Sequence, residues 1–472
     1  MIDRQEILEF AREFSLRPNV VEKDYALGWL LAGIGEHRTT RDTWIFKGGT
    51  CLKKCYFETY RFSEDLDFTL LDTAHIDEKF LLSIFKEITE WVYEQSGIEL
   101  SAEFIRFEVY QNPRGKQSVL GRIGYRGPIA PGGDLPRIKL DLTNDEKVVL
   151  SPVRREVHHA YSDKPSKGIE VACYPYEEVF AEKIRALSER GLPRDLYDAV
   201  HLFRHPEMRP DRETVRRIIQ GKCEFKGIPF PALESIMQEP RKSELDNEWS
   251  NMLAHQLPML PSVNQFWEEL SHVFDWLLRG TVPVQPQPVA VHPDEDIQWT
   301  PPAAAQAWGM RVPLEIIRFA GANHLCVKLG YQGTQRMIEP YSLRRTKDGN
   351  LLLHAIRADN REDRAYRVDE IESAEVTQQT FIPVYAVELS PSGPLHVPPQ
   401  SRSYSSPSFR QPRPSMRKSA FSSPSLKYIV KCAACSKQFT RSSLDTTLKE
   451  HKNKSGYPCY GRYGQYVGTQ YA

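Results

Sequence analysis

The chain has 472 residues, of which 40% are hydrophobic and 26% charged, a composition typical of a water-soluble protein with two to four domains. No apolar run is long enough to span a membrane, and the N-terminus lacks the hydrophobic region of a signal peptide, which argues against a membrane or secreted protein. The eight cysteines form no disulfide-like pattern. These features predict a cytoplasmic protein. The 62 basic and 62 acidic residues balance, but residues 401–472 carry thirteen basic against two acidic residues, which predicts a basic tail for nucleic acid or an acidic partner.

The segment Phe46–Thr69 combines a Gly-Gly-Thr turn, a short predicted helix and a Ser-Glu-Asp-Leu-Asp stretch typical of a strand. Asp65 and Asp67 lie two residues apart in that strand, so their side chains point to one face, with Leu66 and Phe68 on the other. Two adjacent carboxylates repel each other unless a cation lies between them, and Mg²⁺ prefers oxygen ligands. The pair therefore predicts a magnesium site.

The two glycines ahead of the carboxylates indicate a phosphate site. Gly48 and Gly49 allow the backbone to approach a ligand closely, and the helix start after them presents free N–H groups. A phosphate-binding turn followed by a metal-binding pair suits nucleotidyl transfer. The alternative is a tight turn beside a solvated acidic strand edge, which the glycines alone would favour. The combination favours nucleotidyl transfer.

With these motifs the sequence resembles the AbiEii/AbiGii type of nucleotidyltransferase-like toxin, whose members carry KGGT-L-K/R followed by R-x-SEDLDF. The matching residues are Lys47–Thr50, Leu52, Lys53, Arg61–Phe68, Val21–Tyr25 and Glu177–Leu202. The resemblance spans roughly residues 1–280 and implies an α+β chain with a polymerase-β-like fold that uses a nucleoside triphosphate. It also implies nucleotide contacts from Lys47, Gly48, Gly49, Thr50, Lys53 and Ser63.

A second strand offers a third carboxylate. Residues 137–143 alternate strictly, with Ile138, Leu140 and Leu142 on one face and Asp141 on the other. A buried unpaired charge is costly, so Asp141 either faces water or joins Asp65 and Asp67 around two Mg²⁺ ions. We favour the second, in which Asp141 also helps to deprotonate the attacking hydroxyl.

Two helices follow, over Glu177–Glu189 and from Arg194 to Phe203, separated by a glycine and a proline. In the resembling family this region supplies a lysine and an aspartate to the active site. That implies Lys183 as a triphosphate contact and Asp198 as an orienting group. Asp195 suits a capping or salt-bridging role equally well. The alternative for all of them is an ion-paired helix surface.

Two linkers divide the remaining chain. Residues 281–302 are rich in proline, which predicts an extended spacer between a 1–280 transferase domain and the next domain. Residues 390–426 are rich in Ser, Pro and Arg, which predicts disorder in isolation. We expect 303–389 to begin with a short helical stretch and then to form strands, among them runs within 312–332 and 381–389.

Through the runs Glu339–Arg345, Asp348–Asn350 and Tyr366–Ile371, residues 303–389 resemble a WYL domain, a small β-barrel of bacterial regulators and defence proteins. The chain departs from the family pattern at Leu351–Leu353, where the family has Trp-Tyr-Leu, and at Glu370, where it usually has Arg. The resemblance implies a nucleic-acid or nucleotide ligand held by Arg344, Arg345, Arg357 and Arg367. A docking or dimerisation barrel is an equal alternative. No periodicity in this stretch distinguishes the two.

The last segment, 427–472, carries a Cys-x-x-Cys knuckle followed by a histidine and a cysteine. Such spacing in a reducing compartment predicts a structural Zn²⁺ site formed by Cys432, Cys435, His451 and Cys459. Free cysteines in a disordered tail are the alternative. Basic residues interleaved with aromatic ones suit RNA or a DNA backbone. The candidates for nucleic-acid contact are Lys437, Arg441, Lys452 and Arg462.

These patterns together predict a cytoplasmic bacterial nucleotidyltransferase of toxin–antitoxin or phage-defence type. The resemblance implies that it transfers NMP to an acceptor hydroxyl on a tRNA 3′ end or other RNA, and that an antitoxin or partner protein restrains it. One alternative is a phage-triggered synthase of a nucleotide signal or oligomer. Another is a nucleic-acid-binding regulator with an inactive transferase domain, against which the intact Gly-Gly-Thr and Asp-x-Asp motifs argue.

Overall fold

The computed structural model of the protein describes residues 1–57, 60–112, 114–129, 135–205, 208–284, 286–296, 314–389, 426–441, 446, 448–449, 451–452, 458–459, 461 and 464–471. The chain divides into two compact units, Met1–Arg402 and Ser403–Ala472. Among the described helices, none combines the length and the apolar character that a bilayer crossing requires.

The first part of the larger unit is a mixed α+β arrangement. Its helices are α1 (Arg4–Glu13), α2 (Pro18–Glu36), α3 (Gly48–Cys55), α4 (Glu78–Ser96), α5 (Tyr176–Arg190), α6 (Pro193–Phe203), α7 (Arg212–Lys226), α8 (Leu233–Met237), α9 (Arg241–Leu253) and α10 (Val263–Arg279). Its strands are β1 (Trp44–Lys47), β2 (Asp65–Leu70), β3 (Glu99–Gln111), β4 (Gln117–Arg126), β5 (Arg137–Thr143), β6 (Val153–Glu156) and β7 (Glu170–Cys173).

These strands form one seven-stranded sheet in the order β3-β4-β5-β2-β1-β7-β6. Strand β2 pairs in parallel with β5 and β1 in parallel with β7, while the other neighbours are antiparallel. The turn between β1 and α3 therefore lies near the centre of the sheet. This position brings the glycine turn and the two predicted carboxylate strands together.

One face of the sheet is core and the other carries the charges. Phe68 and Leu140 point to the core face and are fully buried. Helix α4 covers this face, with the Phe85 ring 4.9 Å from that of Phe107 in β3. The strict alternation of β2 and β5 then places their aspartates on the opposite face, as the sequence predicts.

Helices α5 and α6 confirm the two predicted helices. Gly191 ends α5 in the left-handed conformation, with φ +63°, and Pro193 occupies the first turn of α6. The short connection packs the two helices against each other, and both are extensively buried. Among the charged residues that pair across these helices, Lys183, Asp195 and Asp198 are thus withdrawn from water, whereas the Arg190 side chain is 52% exposed.

The second part of the larger unit is a five-stranded antiparallel sheet beside one helix. The elements are α11 (Leu314–Ala322), β8 (Leu325–Tyr331), β9 (Thr334–Arg345), β10 (Leu351–Arg357), β11 (Asp363–Arg367) and β12 (Ile371–Thr380). The strand order is β11-β10-β9-β8-β12, with β11 and β12 as the edges among the described residues. The β-rich character is confirmed for residues 314–389, while closure into a barrel stays a prediction. Residues 303–313, where the short helical stretch is predicted to begin, lie outside the described residues.

Two strand predictions in this region are wrong. Leu314–Ala322 forms a helix. Almost every side of this helix is buried, so its apolar run shows neither a helical stripe nor an alternation. Residues 381–389 form no regular strand. They run as an irregular segment whose backbone amides donate to the carbonyl oxygens of His324, Gln287 and Tyr341, single contacts that no periodicity reveals.

The described part of the predicted spacer lies against this second sheet. Arg344 donates to the carbonyl oxygen of Val289 at 2.7 Å, and the Ala386 amide donates to that of Gln287 at 2.9 Å. Glu295 forms an isolated bridge with Thr346. Over the described residues 281–284 and 286–296, the proline-rich segment therefore forms no regular helix, and residues 287–296 are bound to the sheet.

The smaller unit, described by itself, is a set of short strands. These are β13 (Leu426–Cys432), β14 (Gln438–Arg441), β15 (His451–Lys452), β16 (Pro458–Cys459) and β17 (Gly464–Tyr471). Strands β14, β13 and β17 form a sheet, and β15 pairs with β16. This pairing places His451 directly opposite Cys459.

Candidate functional site

The glycine turn is fixed against the first carboxylate strand. Gly48 has φ +81°, a conformation that L side chains rarely adopt, and a β-carbon there would collide with Oδ2 of Asp67. Two residues later, the Thr50 hydroxyl donates to the carbonyl oxygen of Asp65 at 2.5 Å. The N-terminus of α3 and the Asp-x-Asp strand therefore form a single local unit.

Asp141 lies beside this unit. In the parallel pairing of β2 with β5, Asp67 is the direct register partner of Asp141. Adjacent strands are about 4.8 Å apart, so the two carboxylates occupy neighbouring positions on the same open face. Asp65 shares that face one step along β2, opposite Lys139. The structure thus brings the three predicted carboxylates to one place.

The electrostatics of this place show a concentration of negative charge. Burial and then the neighbouring charge of Asp141 raise the pKa of Asp67 to about 6, although Lys47 and Lys183 oppose the shift. Burial also raises the pKa of Asp141. A divalent cation bound by carboxylate oxygens would offset this repulsion, so the residues present fit Mg²⁺.

Two clusters of metal-ligand atoms within 4.8 Å of one another occur among the described residues, and the three aspartates do not form one of them. Their oxygen atoms are therefore more widely spread than the ligands of a closed structural site. An open arrangement suits ions that share their coordination with a substrate phosphate.

Lys47, at the end of β1, is held by carboxylates. Its Nζ lies 3.6 Å from Glu182 and 3.9 Å from Glu146. Burial alone would lower the pKa of Lys47, but Glu182 and Glu146 outweigh it and raise the pKa. Asp67 and Asp141 act in the same direction. Lys47 therefore stays protonated beside the aspartate row.

Asp198 is the centre of a buried ionic network. Asp198 accepts two hydrogen bonds from Arg61, both at 2.7 Å, and one from Tyr60 at 2.5 Å. It also forms an ion pair with Lys183 at 2.8 Å. Burial alone would raise the pKa of Asp198, but Arg61 and Lys183 outweigh it and lower the pKa. Asp195 pairs with Arg190 at 2.7 Å. The two helices are ion-paired as the sequence suggests, but in the interior.

Arg61 connects this network to the glycine turn. A β-carbon at Gly49 would collide with the guanidinium of Arg61, so the arginine lies directly against the turn. Its other Nη donates to Gln256 at 2.8 Å. Asp198 thus orients Arg61, and Arg61 supports the backbone of the predicted phosphate site.

The other predicted nucleotide contacts lie in different surroundings. The Lys53 ammonium is 4.6 Å from the ring centroid of Phe62 and 5.6 Å from that of Phe14, in a buried position. Ser63 is buried just before β2. Their nucleotide contacts stay predictions.

The structure brings three further residues to the site that the sequence analysis does not assign to it, namely Arg61, Glu146 and Glu182. Arg61 is part of the R-x-SEDLDF match, and that match is the signal that could have identified it. Glu146 and Glu182 show no motif, because only the folded chain brings them to Lys47. Sequence reasoning finds such partners only where spacing along one element is involved.

The four arginines of the second sheet are paired with carboxylates. Arg344 contacts Glu295 at 3.0 Å and Glu388 at 3.1 Å, and Arg345 contacts Asp296 at 2.6 Å. The other two pairs join Arg357 to Asp359 at 2.5 Å and Arg367 to Asp369 at 2.7 Å. These partners reduce the positive charge that the sheet would offer to a phosphate.

In the smaller unit the predicted zinc ligands converge. One ligand atom each from Cys432, Cys435, His451 and Cys459 lies within 4.8 Å of the others. Sγ of Cys432 is 3.8 Å from that of Cys459, and Sγ of Cys435 is 3.4 Å from Nε2 of His451. Three thiols and an imidazole at these separations are a donor set that fits Zn²⁺.

The predicted nucleic-acid contacts of this unit are described only in part. Lys437 lies in the knuckle, where its carbonyl oxygen accepts a hydrogen bond from the Cys432 amide at 2.8 Å. Arg441 and Lys452 lie in β14 and β15, with their side chains outside the described part. Arg462 lies outside the described residues.

The raised pKa of Asp67 predicts a pH-dependent stability. In Mg²⁺-free buffer, an acid whose folded pKa exceeds its unfolded value lowers stability as pH rises through the interval between about 4 and about 6. We therefore expect Asp67→Asn to be more stable than the wild type at pH 7.5, by roughly 1–3 kcal/mol. The difference should vanish near pH 4. Thermal unfolding of both proteins across this pH range tests it, and a pH-independent difference would contradict it.

Comparisons with known proteins concern the same part of the chain. The family described as nucleotidyl transferase AbiEii toxin, type IV TA system, matches residues 29–279. Among solved structures, MenT4, a nucleotidyltransferase toxin from Mycobacterium tuberculosis H37Rv, is 17% identical with a TM-score of 0.40, over 59% of this chain and 90% of that one. JHP933 from Helicobacter pylori is 14% identical with a TM-score of 0.36, over 56% and 94%. No curated protein matches the sequence.

Proposed function

The chain belongs to the AbiEii family of nucleotidyltransferase toxins of type IV toxin–antitoxin systems, and on that basis we propose that it transfers NMP from a nucleoside triphosphate to a hydroxyl of a nucleic acid. The family's members are nucleotidyltransferases, so the protein is an enzyme with a nucleoside triphosphate as substrate and an antitoxin as partner. The observation that carries the proposal is the row formed by Asp67 and Asp141 against the Gly48 turn.

In the proposed reaction, an acceptor hydroxyl oxygen attacks the α-phosphorus, a new P–O bond forms, and the bond to pyrophosphate breaks in line. Asp65, Asp67 and Asp141 would hold Mg²⁺, which neutralises phosphate charge when bound. Asp141 lies at the side of the row from which an acceptor can approach, and it would take the hydroxyl proton. The Gly49 and Thr50 amides at the start of α3 would bind phosphate oxygens.

Lys183 contributes through its position. Its Nζ lies 2.8 Å from Asp198 and lowers the pKa of Asp67, so its charge acts on both the network and the metal-binding row. We propose that it contacts the triphosphate while it stays paired with Asp198. Asp198 and Arg61 would then fix the turn and the lysine relative to each other.

The acceptor is proposed to be nucleic acid because a row of cations runs across the open face. Arg106 in β3, Arg122 in β4 and Lys139 in β5 are successive register partners, and Lys139 is the partner of Asp65 in β2. Arg106 and Lys139 are exposed, and the Arg122 side chain is 41% exposed, with Glu108 3.6 Å away as a partly screening partner. A backbone of phosphates laid along this row would lead its terminal hydroxyl to the carboxylates.

The rest of the chain would serve recognition. We propose a transferase domain over 1–280, a linker over 281–302, a WYL-like domain over 303–389, a second linker over 390–426 and a zinc finger over 427–472. The converging thiols and imidazole of the smaller unit support Zn²⁺ binding there. A small basic module of this kind would select the nucleic acid, and tRNA is the acceptor to test first.

The direct test is incubation with each α-³²P-labelled nucleoside triphosphate, Mg²⁺ and total tRNA, beside an Asp65→Ala/Asp67→Ala variant. Label on tRNA with the wild type alone would support the proposal and identify the nucleotide. Label on a small soluble product without tRNA would replace it with a signal or oligomer synthase. No label with tRNA, other RNA or DNA, with the antitoxin absent, would contradict it.

Charge reversal in the cation row tests the path of the acceptor. We expect Arg122→Glu/Lys139→Glu to raise the KM for the nucleic acid roughly tenfold at moderate salt and to flatten the salt dependence of transfer. The affinity for the nucleoside triphosphate should change little. Lys79→Glu is the matched control, because Lys79 is an exposed cation on α4, which covers the opposite face of the sheet. An equal effect of both charge reversals would rule out a specific path along the row.

A further inference from the structure

Three thiols converge in the core next to the glycine turn. Cys51 and Cys55 lie one turn apart on α3, and Cys173 ends β7. Each of the three residues has 0% of its surface exposed. One sulfur from each lies within 4.8 Å of the other two. The transferase reaction proposed above makes no use of this cluster.

The topology explains why the sulfurs meet. Cys51 and Cys55 are four residues apart, so they share one face of the helix. Strand β7 runs parallel to β1, with Cys173 the register partner of Phe46, two residues before α3 begins at Gly48. The three sulfurs therefore join the helix that carries the glycine turn to the strand beside it.

The separation of the sulfurs suits a shared metal ion better than a disulfide. Zinc–sulfur bonds of about 2.3 Å place the sulfurs of one site about 3.8–4.0 Å apart. The upper limit of 4.8 Å on the sulfur separations is compatible with that spacing. A disulfide would require one pair to approach to about 2.05 Å and would leave the third thiol unused.

Polar groups adjoin the cluster on one side. The Tyr56 hydroxyl donates to the carbonyl oxygen of Tyr174 at 2.7 Å, and its oxygen lies 4.0 Å from Sγ of Cys173. Arg155 donates to the carbonyl oxygen of Cys55 at 3.1 Å, with its guanidinium 4.7 Å from the Tyr56 ring centroid. This guanidinium would offset the net negative charge that three thiolates keep after they bind an ion.

We propose that Cys51, Cys55 and Cys173 form a binding site for one thiophilic metal ion, of the Zn²⁺ or Cu⁺ class. Thiolates are the ligands that these ions prefer, and a buried three-sulfur site is closed to substrate. The ion would have a structural role, which is to fasten α3 and its glycine turn to the sheet. The site is independent of the four ligands in the smaller unit.

The experiment uses the full chain with three of the four ligands of the smaller unit removed by Cys432→Ser, Cys435→Ser and Cys459→Ser together, a variant called the triple-serine protein. This variant is reconstituted anaerobically with Zn²⁺ alone and with Cu⁺ alone, and its metal content is measured by mass spectrometry after gel filtration. We expect about one equivalent of one of these ions. Substitution with Co²⁺ should give a thiolate-to-cobalt charge-transfer band, a readout that does not depend on activity.

Two further variants locate the ion. In the triple-serine protein, a further Cys55→Ser change should leave less than about a tenth of the metal, whereas a further Cys223→Ser change should leave all of it, because Cys223 is a buried cysteine outside the cluster. Circular dichroism checks that each variant is folded, and Cys51→Ser replaces Cys55→Ser if the latter is not. A folded triple-serine protein that holds neither ion would overturn the proposal and leave the cysteines as core packing. Metal retained after loss of Cys55 would also overturn it.

Discussion

Replacing Asp67 with asparagine is expected to lower the rate of nucleotidyl transfer by at least about a thousandfold. Asp67 is the central member of the carboxylate row, with Asp141 as its register partner and the Gly48 turn against its Oδ2 atom. A metal at a reacting phosphate contributes several kcal/mol of charge stabilisation, and each 1.36 kcal/mol is about a tenfold change in rate. Asparagine keeps the size of the side chain and removes the charge that holds the metal.

The measurement is the initial rate of label transfer to the acceptor at saturating nucleoside triphosphate and Mg²⁺. Glu90→Gln is the matched control, because Glu90 is an exposed carboxylate on α4, which covers the opposite face of the sheet. Its rate should stay within about threefold of the wild type. An Asp67→Asn protein that keeps more than a tenth of the rate would contradict the assigned role.

Misfolding does not complicate this result. The same substitution is expected to stabilise the metal-free protein at neutral pH, because it removes an ionised group whose pKa the fold raises to about 6. Lower activity together with a higher unfolding temperature is a combination that a structural defect does not produce. Mg²⁺ should raise the unfolding temperature of the wild type and leave that of Asp67→Asn nearly unchanged.

The strands of the site could be predicted from the sequence because a strand repeats every two residues. That period placed Asp65 and Asp67 on one face of β2, and Asp141 on the charged face of β5, and the structure has both alternations. The pairing that makes Asp67 the neighbour of Asp141 is parallel and far apart in sequence, and local periodicity carries no information about it. The sequence analysis instead joined Asp141 to the pair through the cost of burying an unpaired charge, with a water-facing Asp141 as the alternative.

Predictions from the sequence failed where a segment is buried on all sides or where contacts join residues far apart in the chain. Helix α11 is buried on nearly every side, so its run of apolar residues could not distinguish a helix from a strand. The burial of the ionic network could not be predicted either, because Arg61 and Asp198 are charged residues of the kind usually found at the surface. Their shared burial follows from the packing of α6 beside the residues that precede β2.

The second large effect expected is on stability, from Asp198→Asn. Arg61 and Lys183 are almost fully buried, and both depend on the Asp198 carboxylate. Removing one partner of a buried ion pair typically costs 3–5 kcal/mol, because it leaves the opposite charge uncompensated in a region of low polarity. We expect the unfolding temperature at pH 7.5 to fall by roughly 10 °C. Differential scanning calorimetry measures it.

The pH dependence and a conservative variant separate this charge effect from lost packing. The pKa of Asp198 is lowered in the folded state, so the stability it contributes is present above its unfolded value of 3.8 and is lost as the pH falls through the folded pKa. The difference between Asp198→Asn and the wild type should therefore shrink in acid. Tyr60→Phe removes a neutral donor to the same carboxylate and should cost only about 1 kcal/mol. If Tyr60→Phe destabilises the protein as much as Asp198→Asn does, the network stabilises the fold through packing, and Arg61 does not depend on charge to support the glycine turn.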